Sequence, residues 1–358
     1  MNGQLRDGCV EIGGNARQQF YDARGYGTPN GGNSIRVSRV EAAHLLFRGD
    51  LDSVVDHDSS GNRLDFEDFF VSSASAVDRF ALRFLVYAEL RDRGFYLSPA
   101  REGWPGEDEN EWTDLTVYPR GTKPGDGEAA HHVVVRGERA SIPADELQDV
   151  TLAIVDEESE ITYLETERPE FDGGTTYRPP DSLTGSLLDD RVVVWEAPAG
   201  FYEHGFYGQP LTAREAILDS AVQLSLVEAA GLAAEGHLDL QGVDDSTVDA
   251  ICERGRAVEG ERFDRRLAVY RTLRDQQVVP KTGYKFGADF RTYSTVESVD
   301  ELSHSECLVR VVSPDHAFDP RELSLDVRLA GGVRKRMVFA LTGANGHVEW
   351  LSVSRLTP

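Results

Sequence analysis

Residues 20–27, FYDARGYG, and residues 201–208, FYEHGFYG, are one motif written twice, at an offset of 181. Outward from this pair the likeness continues in order. Ser38-Arg-Val-Glu41 has the capping-box pattern ahead of an apolar-periodic helix, and Thr212-Ala-Arg-Glu215 reads as its counterpart at offset 174. VYAELRD (86–92) matches VYRTLRD (269–275), TDLTVY (113–118) matches ADFRTY (288–293), and AIVDEESEITY (153–163) matches ALTGANGHVEW (340–350). One such pair is easily fortuitous; five in the same order indicate a duplicated unit of about 180 residues.

Each unit has the same grammar. A β-rich opening with aromatic turns precedes a capped helix. A longer helix ends at the VYxxLRD stretch, where Phe80, Phe84, Tyr87 and Leu90 recur at helical spacing. Short strands such as 133–135 and 308–312 follow, and the unit closes in a hairpin, 152–155 and 161–166 in the first copy. The fold class expected is therefore mixed α/β (α+β), in tandem duplication, each repeat an N-terminal α/β module plus a mixed-sheet module. The expected boundaries are 1–76 and 77–169, a polar Gly/Pro-bearing linker at 170–185, then 186–260 and 261–358.

The chain has 358 residues, 62 acidic against 37 basic, for a net charge of −25. Only four of the basic residues are lysine. Acid excess with scarce lysine reads as adaptation to a cytoplasm of very high salt, where the Debye length is ~3 Å at 1 M and like charges repel weakly. The charge is uneven: residues 281–358 hold ten bases and ten acids, and Lys281, Lys285 and Lys335 all lie there. Cys9, Cys252 and Cys307 form no disulfide framework and have no metal-ligand spacing. The polar start shows no signal peptide, and apolar runs fall short of the ~18–20 residues that span a bilayer. A soluble cytoplasmic protein is expected.

The repeats differ where chemistry could reside. The offset grows from about 173 near His132 to 187 at the last hairpin, so the second repeat carries roughly 14 extra residues within 319–337. That piece supplies a helix, Gly331-Gly332 and the run Arg334-Lys335-Arg336. By itself the basic run reads as a solvated helix end. GYKFG (283–287) lacks the length and the GK[ST] ending of a phosphate-cradling loop. Tyr293 is expected to end a strand and His304 to begin the next. Tyrosine, histidine and lysine without a carboxylate cluster suit RNA cleavage by the substrate's own 2′-hydroxyl: Tyr293 as base, His304 as acid, Lys335 offsetting phosphorane charge, and no metal or other cofactor. His131, His132, His204, His237, His316 and His347 read as structural or surface residues.

VVPKTGYKFGADFRTY (278–293), HSECLVRVV (304–312) and VRLAGGVRKRMVFA (327–340) together resemble the three signature blocks of the archaeal tRNA-splicing (tRNA-intron) endonucleases, in the class with two fused repeats per chain. Gly331-Gly332 departs from the His-Ser of many relatives. The resemblance implies a restriction-endonuclease-like catalytic module in the second repeat and a degenerate, catalytically dead copy in the first. It implies the triad Tyr293, His304 and Lys335. It also implies a homodimer that cuts precursor tRNA at bulge-helix-bulge sites, leaving 2′,3′-cyclic phosphate and 5′-hydroxyl ends. Arg328 is expected to stack on a bulge base, with Arg355 as a partner from the other subunit. The acidic turn Asp156, Glu157, Glu158 and Glu160 is expected to dock on the partner's catalytic repeat. Two other readings stand beside this one: a metal-dependent restriction-like nuclease using Asp289, and a non-catalytic architectural subunit.

Overall fold

A computed structural model of the chain describes residues 1–358 apart from 60, 213–219, 244–245 and 344–345. The chain divides into two compact units. One is Met1–Thr166 with 319–322 and 355–358; the other is Glu167–Phe318 with Leu323–Ser354. Seven α-helices lie among the described residues: α1 (Arg39–Phe47), α2 (Phe66–Ala76), α3 (Phe80–Asp92), α4 (Leu226–Ala234), α5 (Thr247–Glu259), α6 (Arg262–Asp275) and α7 (Pro320–Gly332).

The units repeat one topology. In the first, Ile35–Ser38, Cys9–Ile12, Asn2–Arg6 and Ser53–Asp56 lie side by side, the last pair parallel and the others antiparallel. In the second, Val222–Ser225, Arg191–Val194, Leu183–Leu187 and Leu238–Leu240 take the same order and senses. The other module of the first unit runs Tyr96–Pro99, Leu115–Tyr118, His131–Gly137, Thr151–Val155, Ile161–Glu167, with its third and fourth strands parallel. Its counterpart in the second unit runs Val279–Thr282, Phe290–Tyr293, Cys307–Val312, Arg336–Thr342, Val348–Leu356, again parallel between the third and fourth. Strand Leu183–Leu187 starts inside the stretch 170–185 that the sequence suggested as a linker. That stretch is not a free tether: Gly173 N–H donates to Gln276 O at 2.8 Å, Gly174 N–H to Ser294 O at 2.8 Å, and Phe171 packs edge-on to Trp350.

The capped helices show why the repeat is legible. Ser38 caps α1: Glu41 N–H donates to Ser38 Oγ, and Ser38 N–H donates to Glu41 Oε2 at 2.8 Å. The other oxygen of Glu41 accepts Gly27 N–H at 2.7 Å. Ser225, Glu228 and Gly208 repeat this arrangement ahead of α4. Gly27 (φ 65°) and Gly208 (φ 61°) cannot be replaced, because a Cβ at either would stand 2.3 Å from a carbonyl oxygen of the adjoining strand. The second capping box is therefore Ser225–Glu228, at offset 187. The Thr212–Glu215 pattern suggested for it falls largely outside the described residues.

Burial explains the long helices. Phe80, Phe84, Tyr87 and Leu90 of α3 and Phe263, Val269, Tyr270 and Leu273 of α6 are all buried, each set in the core of its own unit. Arg91 lies over the Tyr26 ring at 3.9 Å and Arg274 over Tyr207 at 4.0 Å, so the same cation–π contact pins the aromatic motif of each repeat.

Candidate active site

Three strand ends build the site in the second unit. Thr292 pairs with Cys307, and Cys307 pairs with Arg336. Tyr293 follows Thr292, His304 lies three residues before Cys307, and Lys335 immediately precedes Arg336. The register thus brings the three predicted residues to one end of one sheet. Tyr293 ends its strand as expected. His304 does not begin the next, which starts at Cys307; it sits in the preceding loop, exposed.

Tyr293 is 6 % exposed, its ring 5.5 Å from that of Phe206 at a 63° tilt. Arg291 sits 5.6 Å from the same ring, and its Nε is buried without a hydrogen-bond partner. Lys335 is placed by backbone geometry. After α7, Arg334 takes φ 57°, Arg334 N–H donates to Gly331 O at 3.0 Å and Lys335 N–H to Ala330 O at 2.9 Å. This is a Schellman motif with arginine, rather than glycine, at the left-handed position. Lys335 Nζ then donates to Ser305 O at 2.5 Å, beside His304. Partial burial, followed by the charge of Arg291, lowers the Lys335 ammonium below its ordinary pKa, against a smaller opposing effect of Cys307.

Superposing the sheet registers shows what the first repeat lacks. Val133 pairs with Thr151 as Val309 pairs with Val338, and Asp114 N–H donates to Val133 O as Asp289 N–H donates to Val309 O. These matches make the extra segment of the second repeat eleven residues, offset 176 before it and 187 after, rather than the roughly fourteen suggested by sequence. By them, Tyr118, Glu128 and Gln148 stand where Tyr293, His304 and Lys335 do. His131 and His132 match Cys307 and Leu308, so neither is the counterpart of His304. Tyr118 is also tied off, its hydroxyl donating to Pro105 O at 2.8 Å.

Asp289 is committed elsewhere. Its carboxylate lies 2.6 Å from Arg262 and 3.1 Å from Arg266, and accepts Val311 N–H at 2.9 Å. Asp114 repeats the arrangement with Arg79, Arg83 and Val135 N–H. A residue kept in both repeats for the same ion pairs explains itself as structure. Among the described residues, no three His, Cys, Asp or Glu side chains group as metal ligands, and no helix is long and apolar enough to cross a membrane.

Arg328 is exposed on α7, and Arg355 is exposed on the last strand; neither has an ion-pair partner among the described residues. In the acidic turn, Asp156 is occupied: its Oδ1 accepts the N–H groups of Glu158 and Glu160, both at 2.9 Å. Glu157 pairs with Arg139. Glu158 and Glu160 stay exposed.

Residues 263–350 match the model of the tRNA intron endonuclease catalytic C-terminal domain, and residues 1–70 and 183–250 each match that of its N-terminal domain. The chain is 55% identical over its whole length, and the relative's, to a protein named tRNA-splicing endonuclease from Haloferax volcanii. It is 57% identical, again over both full chains, to one of that name from Halobacterium salinarum.

The chain belongs to the tRNA-intron endonuclease family.

A relative of that name from Methanosarcina acetivorans is 35% identical across 99% of both chains. The double match of the N-terminal family model agrees with the duplication of this endonuclease fold, whereas the catalytic model matches only the second repeat. Sequence reasoning missed two features of the site. Lys281 is buried against Glu228, and Arg291 lies against the Tyr293 ring with its charge acting on Lys335. The concentration of lysine after residue 280 was the signal for the first; nothing marked the second.

Proposed function

We propose that this protein is an RNA endonuclease that excises introns from precursor tRNA at bulge-helix-bulge sites, by transesterification without metal. The observation that carries this reading is the meeting of Tyr293, His304 and Lys335 at one sheet end, in the repeat that has all three. Tyr293 takes the 2′-hydroxyl proton, and the 2′-oxygen attacks the adjacent phosphorus. The bond to the 5′-oxygen breaks as His304 protonates it, leaving a 2′,3′-cyclic phosphate and a 5′-hydroxyl. Lys335 offsets the charge that accumulates on the phosphorane. The nucleophile belongs to the substrate, so positioning supplies much of the acceleration.

The active species is a homodimer in which the acidic turn of the first repeat, chiefly Glu158 and Glu160, docks on the partner, and Arg328 and Arg355 contact RNA. The test is incubation with an intron-containing precursor tRNA in excess EDTA at high potassium chloride, with the ends mapped chemically. Cyclic phosphate ends are expected. Tyr293→Phe, His304→Ala and Lys335→Ala should each slow single-turnover cleavage by at least ~100-fold, with RNA affinity little changed. EDTA-sensitive cutting would turn the reading to a metal nuclease. Full activity of His304→Ala would remove that residue from the mechanism.

A further inference from the structure

A cavity of about 550 Å³ opens in the second unit, with Tyr293 on its wall. That is within the ~300–1,000 Å³ typical of ligand sites. Its charges nearly cancel in pairs: Lys281 with Glu228 at 2.7 Å, Arg266 with Glu259 at 2.5 Å, Arg191 with Asp190 at 2.7 Å. Arg291 is the lining cation with no carboxylate partner among the described residues, leaving a net positive cavity in a chain of charge −25. Half-buried Tyr202 offers an aromatic face, and Gln209 and Gln223 offer amides at the rim.

The first unit carries the corresponding cavity in a smaller form. Ser38, Arg83, Pro99 and Leu115 line about 380 Å³ there, as Ser225, Arg266, Thr282 and Phe290 line the larger one. The connection between the first two strands of that module runs over residues 100–114, against 283–289 in the second repeat. The longer connection sends Arg101 and Trp112 into the small cavity, and Tyr118 is not on its wall. The cavity meets the tyrosine only in the repeat that keeps Tyr293, His304 and Lys335.

We infer that this cavity is a nucleobase subsite for the nucleotide whose 2′-hydroxyl Tyr293 deprotonates. The inference rests on the cleavage reading above. In-line attack by a 2′-oxygen requires the two nucleotides flanking the phosphate to swing out of helical stacking, so the upstream base loses its neighbours and needs a new surface. Tyr202 supplies stacking, which is tolerant of base identity. Gln209 and Gln223 supply hydrogen bonds to the base edge, and the Arg291 guanidinium, with no carboxylate partner among the described residues, adds positive charge to the wall toward the ribose-phosphate. The class of ligand is an unstacked RNA base, purine or pyrimidine.

The experiment compares intact bulged RNA with the same RNA carrying an abasic ribonucleotide, 2′-hydroxyl retained, just 5′ of the scissile phosphate. Wild-type protein should cut the abasic RNA about 10- to 100-fold more slowly, roughly 1.4–2.7 kcal/mol and within the range for one stacked base. Gln209→Trp, which fills the rim, should slow intact RNA and abolish the difference. Equal rates on the two RNAs by wild type, or full abasic sensitivity in Gln209→Trp, would overturn the subsite. A second readout does not need cleavage: 2-aminopurine at that position, on a 2′-deoxy nucleotide, should be quenched by wild type and not by Tyr202→Ala. Quenching without any cutting of intact RNA would refute the cleavage reading and leave the subsite standing. Cutting without quenching would do the reverse.

Discussion

Replacing Lys281 by methionine keeps the stem and deletes the ammonium, and the structure sets what that should cost. Lys281 Nζ donates to Glu228 Oε1 at 2.7 Å, to Gly208 O at 3.0 Å and to Phe206 O at 3.2 Å, with both charged side chains 10 % exposed. Breaking one half of a buried ion pair costs about 3–5 kcal/mol. Glu228 would keep its donors from Ser225 and Gly208, so the loss should fall near the lower end, about 3 kcal/mol. The first repeat holds the natural comparison. Ser98 stands where Lys281 does, and burial raises the Glu41 carboxyl above its usual pKa despite hydrogen bonds from Ser38 and Gly27. Burial likewise pushes Glu228 upward, but Lys281 and the hydrogen bonds from Ser225 and Gly208 together outweigh it, and the net direction is down. The sign of the pH response should therefore invert. In wild type, Glu228 contributes stability above the unfolded carboxyl pKa that is lost as pH falls through the depressed folded value. In Lys281→Met it destabilises at neutral pH and recovers on acidification. Urea unfolding of the two proteins at high salt, followed by tryptophan fluorescence at pH 7.5 and pH 5, measures both effects. The double variant Lys281→Met/Glu228→Gln should regain about 2 kcal/mol of the loss. A Lys281→Met protein within 1 kcal/mol of wild type at pH 7.5, or a gap that does not narrow toward pH 5, would refute the argument.

His44 is buried against Tyr26 and Tyr87, and burial, with help from Arg91 and Arg48, lowers it to about 4. The ring must stay neutral in the fold, so stability should decline by about 2.5 kcal/mol as pH falls from 6.5 to 4; His44→Gln should flatten that slope in acid unfolding curves. Arg328→Lys keeps the charge and loses the planar face, and should cut bulged RNA about fivefold more slowly in single-turnover assays. Equal rates would end the stacking role. Replacing Asp156, Glu157, Glu158 and Glu160 by Ser or Gln should weaken the dimer in sedimentation at high salt and reduce cleavage with it. An unchanged dimer with full activity would leave the turn as surface.

The duplication was readable because the residues that repeat are those with the fewest substitutes. Gly27 and Gly208 face a carbonyl too close for any Cβ, and Tyr87 and Tyr270 fill the same core position. The second capping box was misplaced because the Ser-x-x-Glu pattern is short, and Thr212–Glu215 satisfies it as well as Ser225–Glu228. What marks Ser225–Glu228 is the contact of Glu228 with Gly208 and Lys281, which lie 20 and 53 residues away in the sequence. His304 read as the start of a strand because apolar alternation follows it closely; the strand waits until Cys307, where pairing to both neighbours begins. The cavity beside Tyr293 left no trace in pattern or composition. It is made by a connection being short, and a missing stretch shows only against the copy that has it.

The turn that presents Lys335 is held by peptide groups, not by the side chains around it. Replacing Gly331, Gly332 or Val333 one at a time would leave every hydrogen bond of that turn in place, and so would leave the ammonium where it is. Such a segment tolerates substitution while the lysine stays fixed. The change that would dislodge the lysine is Arg334→Pro: it removes a donor of the turn and cannot reach φ 57°. An alanine scan of this loop would thus look silent until it struck Lys335 itself.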